Sequence, residues 1–335
     1  MPKKPIVGLL VWVFNGRSWS LIKISIAHDR ALFSLGATIM NHSDFQIVSK
    51  GPMLLGECPL WHPLEQCLYW IDIANCLVYC LELAAGEERK WSLPSEPGCI
   101  ALRESGGLIV AMRNGIFTLD TQTGQLNQML AAPYDQHKYR FNDGRCDAAG
   151  RLWTGTLVDA RNDNSGKLYC LDHGRLTEHN SPVMVSNGVA FSPDSKTLYH
   201  ADTSAHQIKS YQYDMSSGTP SNPHVFKTFT STRDTHYGGR PDGAAVDSEG
   251  AYWVAMYEGA CIRRFASDGR LLQTISVPFM CPTMIAFGGF DLKTLFITSA
   301  KQKRSSEELA RMPYSGFVIS IRVEIAGLAE HFYRD

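Results

Sequence analysis

One short unit of this chain is written six times, and that repetition limits its fold more than any other feature. Gly150-Arg-Leu-Trp-Thr-Gly-Thr156 stands beside Gly250-Ala-Tyr-Trp-Val-Ala-Met256, and the pattern returns at 66–72, 107–112, 195–201 and 293–298. Each is a turn signal followed by a short apolar, aromatic or β-branched run, which reads as a strand. A second such run follows at 77–81, 115–119, 167–171, 207–211, 261–265 and 316–320, and runs 88–93, 224–229 and 271–277 supply a more variable fourth. The residues that open the units are 57, 99, 142, 187, 242 and 283, so the gaps are 42, 43, 45, 55 and 41. Four-stranded units at a period of about 40–45 residues are propeller blades. A length of 335 residues would suggest two domains at about 150 residues each. Six blades instead make one. The spacing therefore predicts an all-β fold: a six-bladed β-propeller of four-stranded antiparallel blades around a central channel, spanning residues 41–335. The run 45–49 is placed to pair with the last blade and close the ring, and 305–311 is the best short helix candidate. Residues 1–40 read as an ancillary N-terminal extension, or as the result of a start that truly lies at Met40.

Alignment of the units also brings polar residues into register. Glu57 precedes Tyr69 by twelve residues, and Asn187 precedes Tyr199 by the same twelve. Asn142 and Asp242 each precede a tryptophan, Trp153 or Trp253, by eleven. These four are expected to share one structural position, while the same slot falls on Cys99 and Thr283 in the other two units. The starts of equivalent inner strands meet at one mouth of a propeller's channel. Two carboxylates and two carboxamides would converge there. Two acids repel each other in a desolvated site unless a cation lies between them. Carboxylate and carbonyl oxygens are the ligands that a hard divalent cation takes. Asn187-Gly188 and Asp242-Gly243 are also ordinary turn dipeptides, a reading that does not account for Glu57. Arg140, two residues before Asn142, can point the same way on an extended chain, toward a substrate oxygen or into a surface ion pair.

Composition removes several other classes. Lys+Arg 32 against Asp+Glu 33 leaves a formal net charge of -1, without the basic surplus of a phosphate-tracking nucleic-acid binder. The nine cysteines are odd in number and include no CxxC pair, which argues against a disulfide framework or a zinc finger and for a reducing cytoplasm. The apolar run 6–14 is too short to span a bilayer as a helix and lacks a clean cleavage site, so no membrane association is expected. No GxSxG, HExxH, Walker or dinucleotide fingerprint occurs. His200 and His206 read as packing or surface residues, and Trp61, Trp70, Trp153 and Trp253 as blade core. Arg263-Arg264 and the segment 301–304 read as solvated faces.

Four stretches carry a resemblance: Leu55-Gly-Glu-Cys-Pro-Leu-Trp61; Arg140-Phe-Asn-Asp-Gly144 with Asp147-Ala-Ala-Gly-Arg-Leu-Trp153; Ser186-Asn-Gly-Val-Ala-Phe-Ser-Pro-Asp194; and Arg240-Pro-Asp-Gly-Ala-Ala-Val-Asp247. In these stretches the chain resembles the senescence marker protein, gluconolactonase and regucalcin family, most of all its bacterial sugar lactonases. The resemblance implies a six-bladed propeller with a divalent cation in the channel, and hydrolysis of a sugar lactone to its aldonic acid. It implies Glu57, Asn187 and Asp242 as metal ligands, with Asp242 also the general base. It makes Arg140 a substrate contact and Asn142 a contact to substrate or to a metal-bound water. Cys58 stands where the family usually has glycine or serine. A carboxylate that some members use after Gly155-Thr156 has no clear counterpart, Asp159 being nearest. Loops 159–164 and 233–240 are expected to orient the sugar hydroxyls, with the 55-residue gap before Asp242 supplying a lid. The cation is left open among Ca²⁺, Mg²⁺, Mn²⁺, Fe²⁺ and Zn²⁺, and the protein is expected to be a monomer or small homo-oligomer. Two other readings remain: a metal-dependent hydrolase of aryl esters or phosphotriesters, and a non-catalytic calcium-binding propeller.

Overall fold

The computed structural model describes residues 8–14, 19–25 and 44–335. The chain divides into two compact units, Met1–Gly36 and Ala37–Asp335. In the first, Gly8–Phe14 and Trp19–Ser25 pair as an antiparallel hairpin. Met40, the alternative start, lies outside the described residues. The second unit is a six-bladed propeller, six four-stranded antiparallel sheets among the described residues.

Blade one runs outward from the channel through Gly56–His62, Cys67–Asp72, Leu77–Glu82 and Glu87–Ser92. The inner strands of the next four blades are Pro97–Leu102, Tyr139–Cys146, Ser186–Phe191 and Arg240–Val246. Blade six combines Pro282–Gly288, Thr294–Ser299 and Ile319–Arg322 with Gln46–Ile47 from the start of the unit. Ile47 pairs with Ile319 and Gln46 with Ser320, so the ring closes through the run expected to close it. The third strand of this blade begins at Ile319 rather than Gly316, because Gly316 turns at φ +88° and donates its N–H to Ser299 Oγ at 2.9 Å. Before it lies the short helix Ser306–Arg311, capped by the Ser305 side chain.

Burial follows position in the blade. Pro97–Leu102, Ser186–Phe191 and Pro282–Gly288 are buried along their whole length, because neighbouring blades cover both faces. The outer strand Glu87–Ser92, by contrast, has no buried residue. Ring pairs join successive blades: Trp61 stacks on Phe296 at 5.8 Å, Trp153 meets Phe191 at 6.4 Å, Tyr199 meets Tyr252 at 4.8 Å, and Trp253 meets Phe287 at 5.5 Å. The tryptophans are therefore core, as their strand positions indicate.

Arg263-Arg264 is not a solvated face. Arg264 Nε donates to the wholly buried Asp247 at 2.7 Å, and the Arg263 guanidinium lies over the Phe229 ring at 5.8 Å. Arg304 likewise departs from the solvated reading, reaching Glu258 at 3.2 Å and Glu308 at 2.5 Å. The last residues of the chain cross the other end of the channel, where Asp247 bridges Gly327 and Arg103 bridges Tyr333.

Candidate functional site

Each inner strand carries an irregularity near its start, and this places the polar residues. In blade one the ladder pairs Glu57 with Ile71 and resumes at Leu60 with Tyr69, leaving Cys58 and Pro59 opposite one residue. Blade four does the same, with Asn187 paired to Ala201 and Ala190 to Tyr199. In blades three and five the last paired residues are Phe141 and Pro241, so Asn142 and Asp242 themselves open the bulge. The four residues thus occupy two adjacent ladder positions rather than one. Where the ladder residue faces the channel, the next residue takes a left-handed turn: Cys58 at φ +46° and Gly188 at φ +59°. Thr283 opens the bulge in blade six, whereas in blade two the ladder skips only Gly98 before Cys99 pairs with Ala111.

Glu57, Asn142, Asn187 and Asp242 line one cavity with Arg140, and further lining comes from Arg161, Thr203, Arg240, Tyr257 and Gln302. The space is about 450 Å³ when the solvent at its open mouth is counted. A one-way hydrogen-bond chain orders its polar wall. Arg140 donates to Asn142 Oδ1 at 2.7 Å, and Asn142 Nδ2 donates to Asn187 Oδ1 at 2.7 Å. Asn187 Nδ2 then donates to Thr203 Oγ1, which donates to the Pro241 carbonyl, both at 2.7 Å. This assignment turns both amide oxygens away from their own N–H partners and fixes both carboxamides. Asp159 is not in the cavity wall. It forms an ion pair with Arg113 at 2.6 Å.

The two site carboxylates are electrostatically unsettled. Burial, then the nearby Asp242 and Asp143, raise the Glu57 carboxyl well above its ordinary range. Burial and the nearby Asp143 push Asp242 up to about 8, against the pull of Arg240, Arg161 and Arg140. Neither acid forms an ion pair among the described residues. Two crowded acids, Asp242 buried and Glu57 half-buried, beside fixed amide oxygens fit a hard divalent cation: Glu57, Asn187 and Asp242 would hold it. No three His, Cys, Asp or Glu side chains gather into a metal cluster among the described residues, so the carboxamide oxygens are needed to complete the donor set.

Sequence reasoning missed three participants. Asp143 is buried next to Asn142 with Oδ1 lacking a hydrogen-bond partner, and burial raises its carboxyl to about 6. Its signal was only that it follows Asn142 in an inner strand. Arg161 lies in a loop already expected to face the substrate, and no spacing marked it; Arg240 opens the inner strand of blade five two residues before Asp242, the same offset that Arg140 has from Asn142. Loop 229–239, the expected lid, is tied to the body: Arg233 reaches Glu258 at 2.8 Å, and the Tyr237 hydroxyl meets His206 Nε2 at 3.0 Å. His200 is also packed, with Nε2 at 2.8 Å from Ser186 Oγ.

Known proteins resemble this chain over most of its length. Residues 55–301 match the SMP-30/gluconolactonase/LRE-like region. The chain is 46% identical over 288 residues to a 6-deoxy-6-sulfogluconolactonase of Pseudomonas putida, covering 85% of this chain and 97% of that protein. It is 31% identical to regucalcin of Xenopus laevis, covering 80% of this chain and 90% of the other. Among solved structures, the calcium-binding protein regucalcin from Agrobacterium tumefaciens superposes with a TM-score of 0.83 at 28% identity, covering 90% of this chain and all of that one.

Proposed function

This chain belongs to the SMP-30/gluconolactonase/LRE-like family, and we propose on that premise that it hydrolyses the ring ester of a sugar lactone to the open aldonic acid. It is an ester hydrolase. One observation carries the reading: residues from four blades meet in a single solvent-open cavity, where carboxylates, carboxamides and a buried guanidinium face the same space. The name of the Pseudomonas putida relative supports an aldonolactone as the substrate class. A divalent cation held by Glu57, Asn187 and Asp242 would supply Lewis-acid polarisation of the lactone carbonyl and a more acidic water.

The protein's own groups do the rest. Asp242, with no hydrogen-bond or ion-pair partner for its side chain among the described residues, accepts the proton of the attacking water as that oxygen adds to the carbonyl carbon. The tetrahedral carbon then expels the ring oxygen, which takes a proton as the C–O bond breaks. Arg140, held buried, donates to Asn142 Oδ1, and Asn142 Nδ2 donates to the Ser186 carbonyl and to Asn187 Oδ1, which fixes the carboxamides of the cavity wall. Cation storage alone would not need that pair. All nine cysteines are free thiols, which supports a reducing compartment such as the cytoplasm. The test is Asp242→Asn assayed on a sugar lactone. We expect kcat to fall by about 10²-fold or more with an unchanged unfolding transition. Turnover within a factor of three of the parent would remove Asp242 as the base.

A further inference from the structure

The mouth of the cavity carries more guanidinium groups than an uncharged sugar can use. Arg140 is buried, and no carboxylate lies within ion-pair distance of it among the described residues. Its donor contacts are to the Phe141 carbonyl at 2.9 Å and to Asn142. Arg161 lines the same cavity from the loop after Val158, with φ +49°. Its backbone N–H is held by the Val158 carbonyl at 2.9 Å, but its guanidinium makes no hydrogen bond or ion pair among the described residues. Arg240 enters from blade five, lies over the Tyr257 ring at 5.0 Å and meets Glu258 at 3.3 Å. That single carboxylate is already shared with Arg233 at 2.8 Å and Arg304 at 3.2 Å, and Arg240 Nε is buried without a partner.

A nearby contrast shows what a compensated arginine looks like here. Arg113 is held by Glu96 at 2.9 Å and Asp159 at 2.6 Å, one carboxylate on each side. Arg140, Arg161 and Arg240 have no such balance. Glu57 and Asp242 face the cavity, but a divalent cation between them would consume their charge. The guanidinium surplus would remain. Sugar hydroxyls both donate and accept, whereas arginine only donates, and its planar fork matches an oxyanion. Chemical complementarity therefore favours a substrate with its own negative group.

We propose that Arg161 and Arg240, with Arg140 behind them, form an anion subsite for a charged substituent on the lactone, a sulfonate, phosphate or carboxylate remote from the reacting carbonyl. This rests on the lactonase reading and specifies the substrate within it. Arg161 is the residue on which selectivity turns, because its exposed guanidinium has no other occupation.

The experiment compares hexonolactones bearing a C6 hydroxyl, carboxylate, phosphate or sulfonate, using the full-length protein and the Arg161→Gln and Arg161→Lys variants. For the parent, kcat/KM should favour at least one anionic lactone over the hydroxyl form by tenfold or more, and which one identifies the anion. Arg161→Gln should lower that preference at least tenfold, mainly through KM, and Arg161→Lys should restore part of it. Equal losses on charged and uncharged lactones would overturn the subsite, making Arg161 a general modifier of the site's charge. So would a parent enzyme without anionic preference. In parallel, calorimetric binding of 1,5-anhydrohexitols with and without a C6 sulfonate or phosphate requires no turnover. If no lactone is hydrolysed but the anionic anhydrohexitol binds tenfold tighter in an Arg161-dependent way, the subsite stands and the lactonase reading falls. If neither anionic form binds more tightly than the neutral one, the subsite falls.

Discussion

Asp247 offers a quantitative test of how the propeller is held together. It is wholly buried at the end of the inner strand of blade five. Its carboxylate accepts from Trp253 Nε1 at 2.8 Å, from Arg264 Nε at 2.7 Å, and from the backbone N–H of Glu249 and Ala251, each at 2.9 Å. Asp247→Ala removes the two oxygens that accept all four bonds and strands a guanidinium whose side chain is 12% exposed. Breaking one member of a buried pair costs about 3–5 kcal/mol. The remaining contact of Arg264 with the exposed Glu249, at 2.6 Å, offsets only about 0–1 kcal/mol. We therefore expect a loss of about 3–5 kcal/mol by urea unfolding, and a fall in Tm of roughly 6–12 °C for a domain of this size. The control is Asp268→Ala, whose only ion pair is 4.0 Å long between exposed side chains, and it should change stability by less than about 0.5 kcal/mol. A loss below about 1 kcal/mol for Asp247→Ala would refute the reasoning. Adding Arg264→Met should cost less than the sum of the two single changes, since the stranded charge leaves with it.

Burial holds the His200 ring at a pKa of about 4, below its usual 6.5, so the unfolded chain binds a proton that the folded one refuses. Stability should therefore be unaffected above pH 6.5 and decline as pH falls toward 4; by linkage, the His200 contribution lost between pH 7 and 5.5 is about 1 kcal/mol. His200→Asn should flatten that part of the urea-derived profile, and a profile unchanged from the parent would contradict the assignment. Gly188 has φ +59°, and a Cβ there would lie 2.3 Å from the Tyr252 hydroxyl and 3.1 Å from the Asp242 carbonyl. Gly188→Ala should lose at least about 2 kcal/mol and reduce turnover by shifting Asn187 and Asp242 together, whereas parental stability would show that the turn tolerates a side chain.

The blade count and the closing strand were legible because both follow from local pattern. Turn residues and alternating apolar runs mark each strand, and Phe45-Gln-Ile-Val-Ser49 was left over at one end of a ring needing one more. The meeting of Glu57, Asn142, Asn187 and Asp242 was legible as a recurring polar residue at one phase of the repeat. What escaped was the one-residue offset, since a bulge exchanges which residue faces the channel without changing the type of residue a strand start prefers. Arg264 was misplaced for a related reason: an arginine on the third strand of a blade looks solvated until the fold brings a buried aspartate from beyond the inner strand beside it. Arg161 carries no spacing signal, and Arg240 carries only a two-residue offset before Asp242, matching that of Arg140 before Asn142. Their roles depend on which carboxylates other blades bring near them, and that is a property of the ring rather than of the repeat.

Glu57, Asn187 and Asp242 are proposed to form a cation-dependent lactonase centre. Its most direct measurement is acid release from a panel of sugar lactones in a pH-stat, with chelator-stripped protein before and after Ca²⁺, Mg²⁺, Mn²⁺, Fe²⁺ or Zn²⁺ is restored one at a time. The account predicts that stripping abolishes turnover and that at least one cation restores it in the parent but not in Glu57→Gln. Undiminished hydrolysis by the stripped protein, or equal restoration in Glu57→Gln, would contradict it.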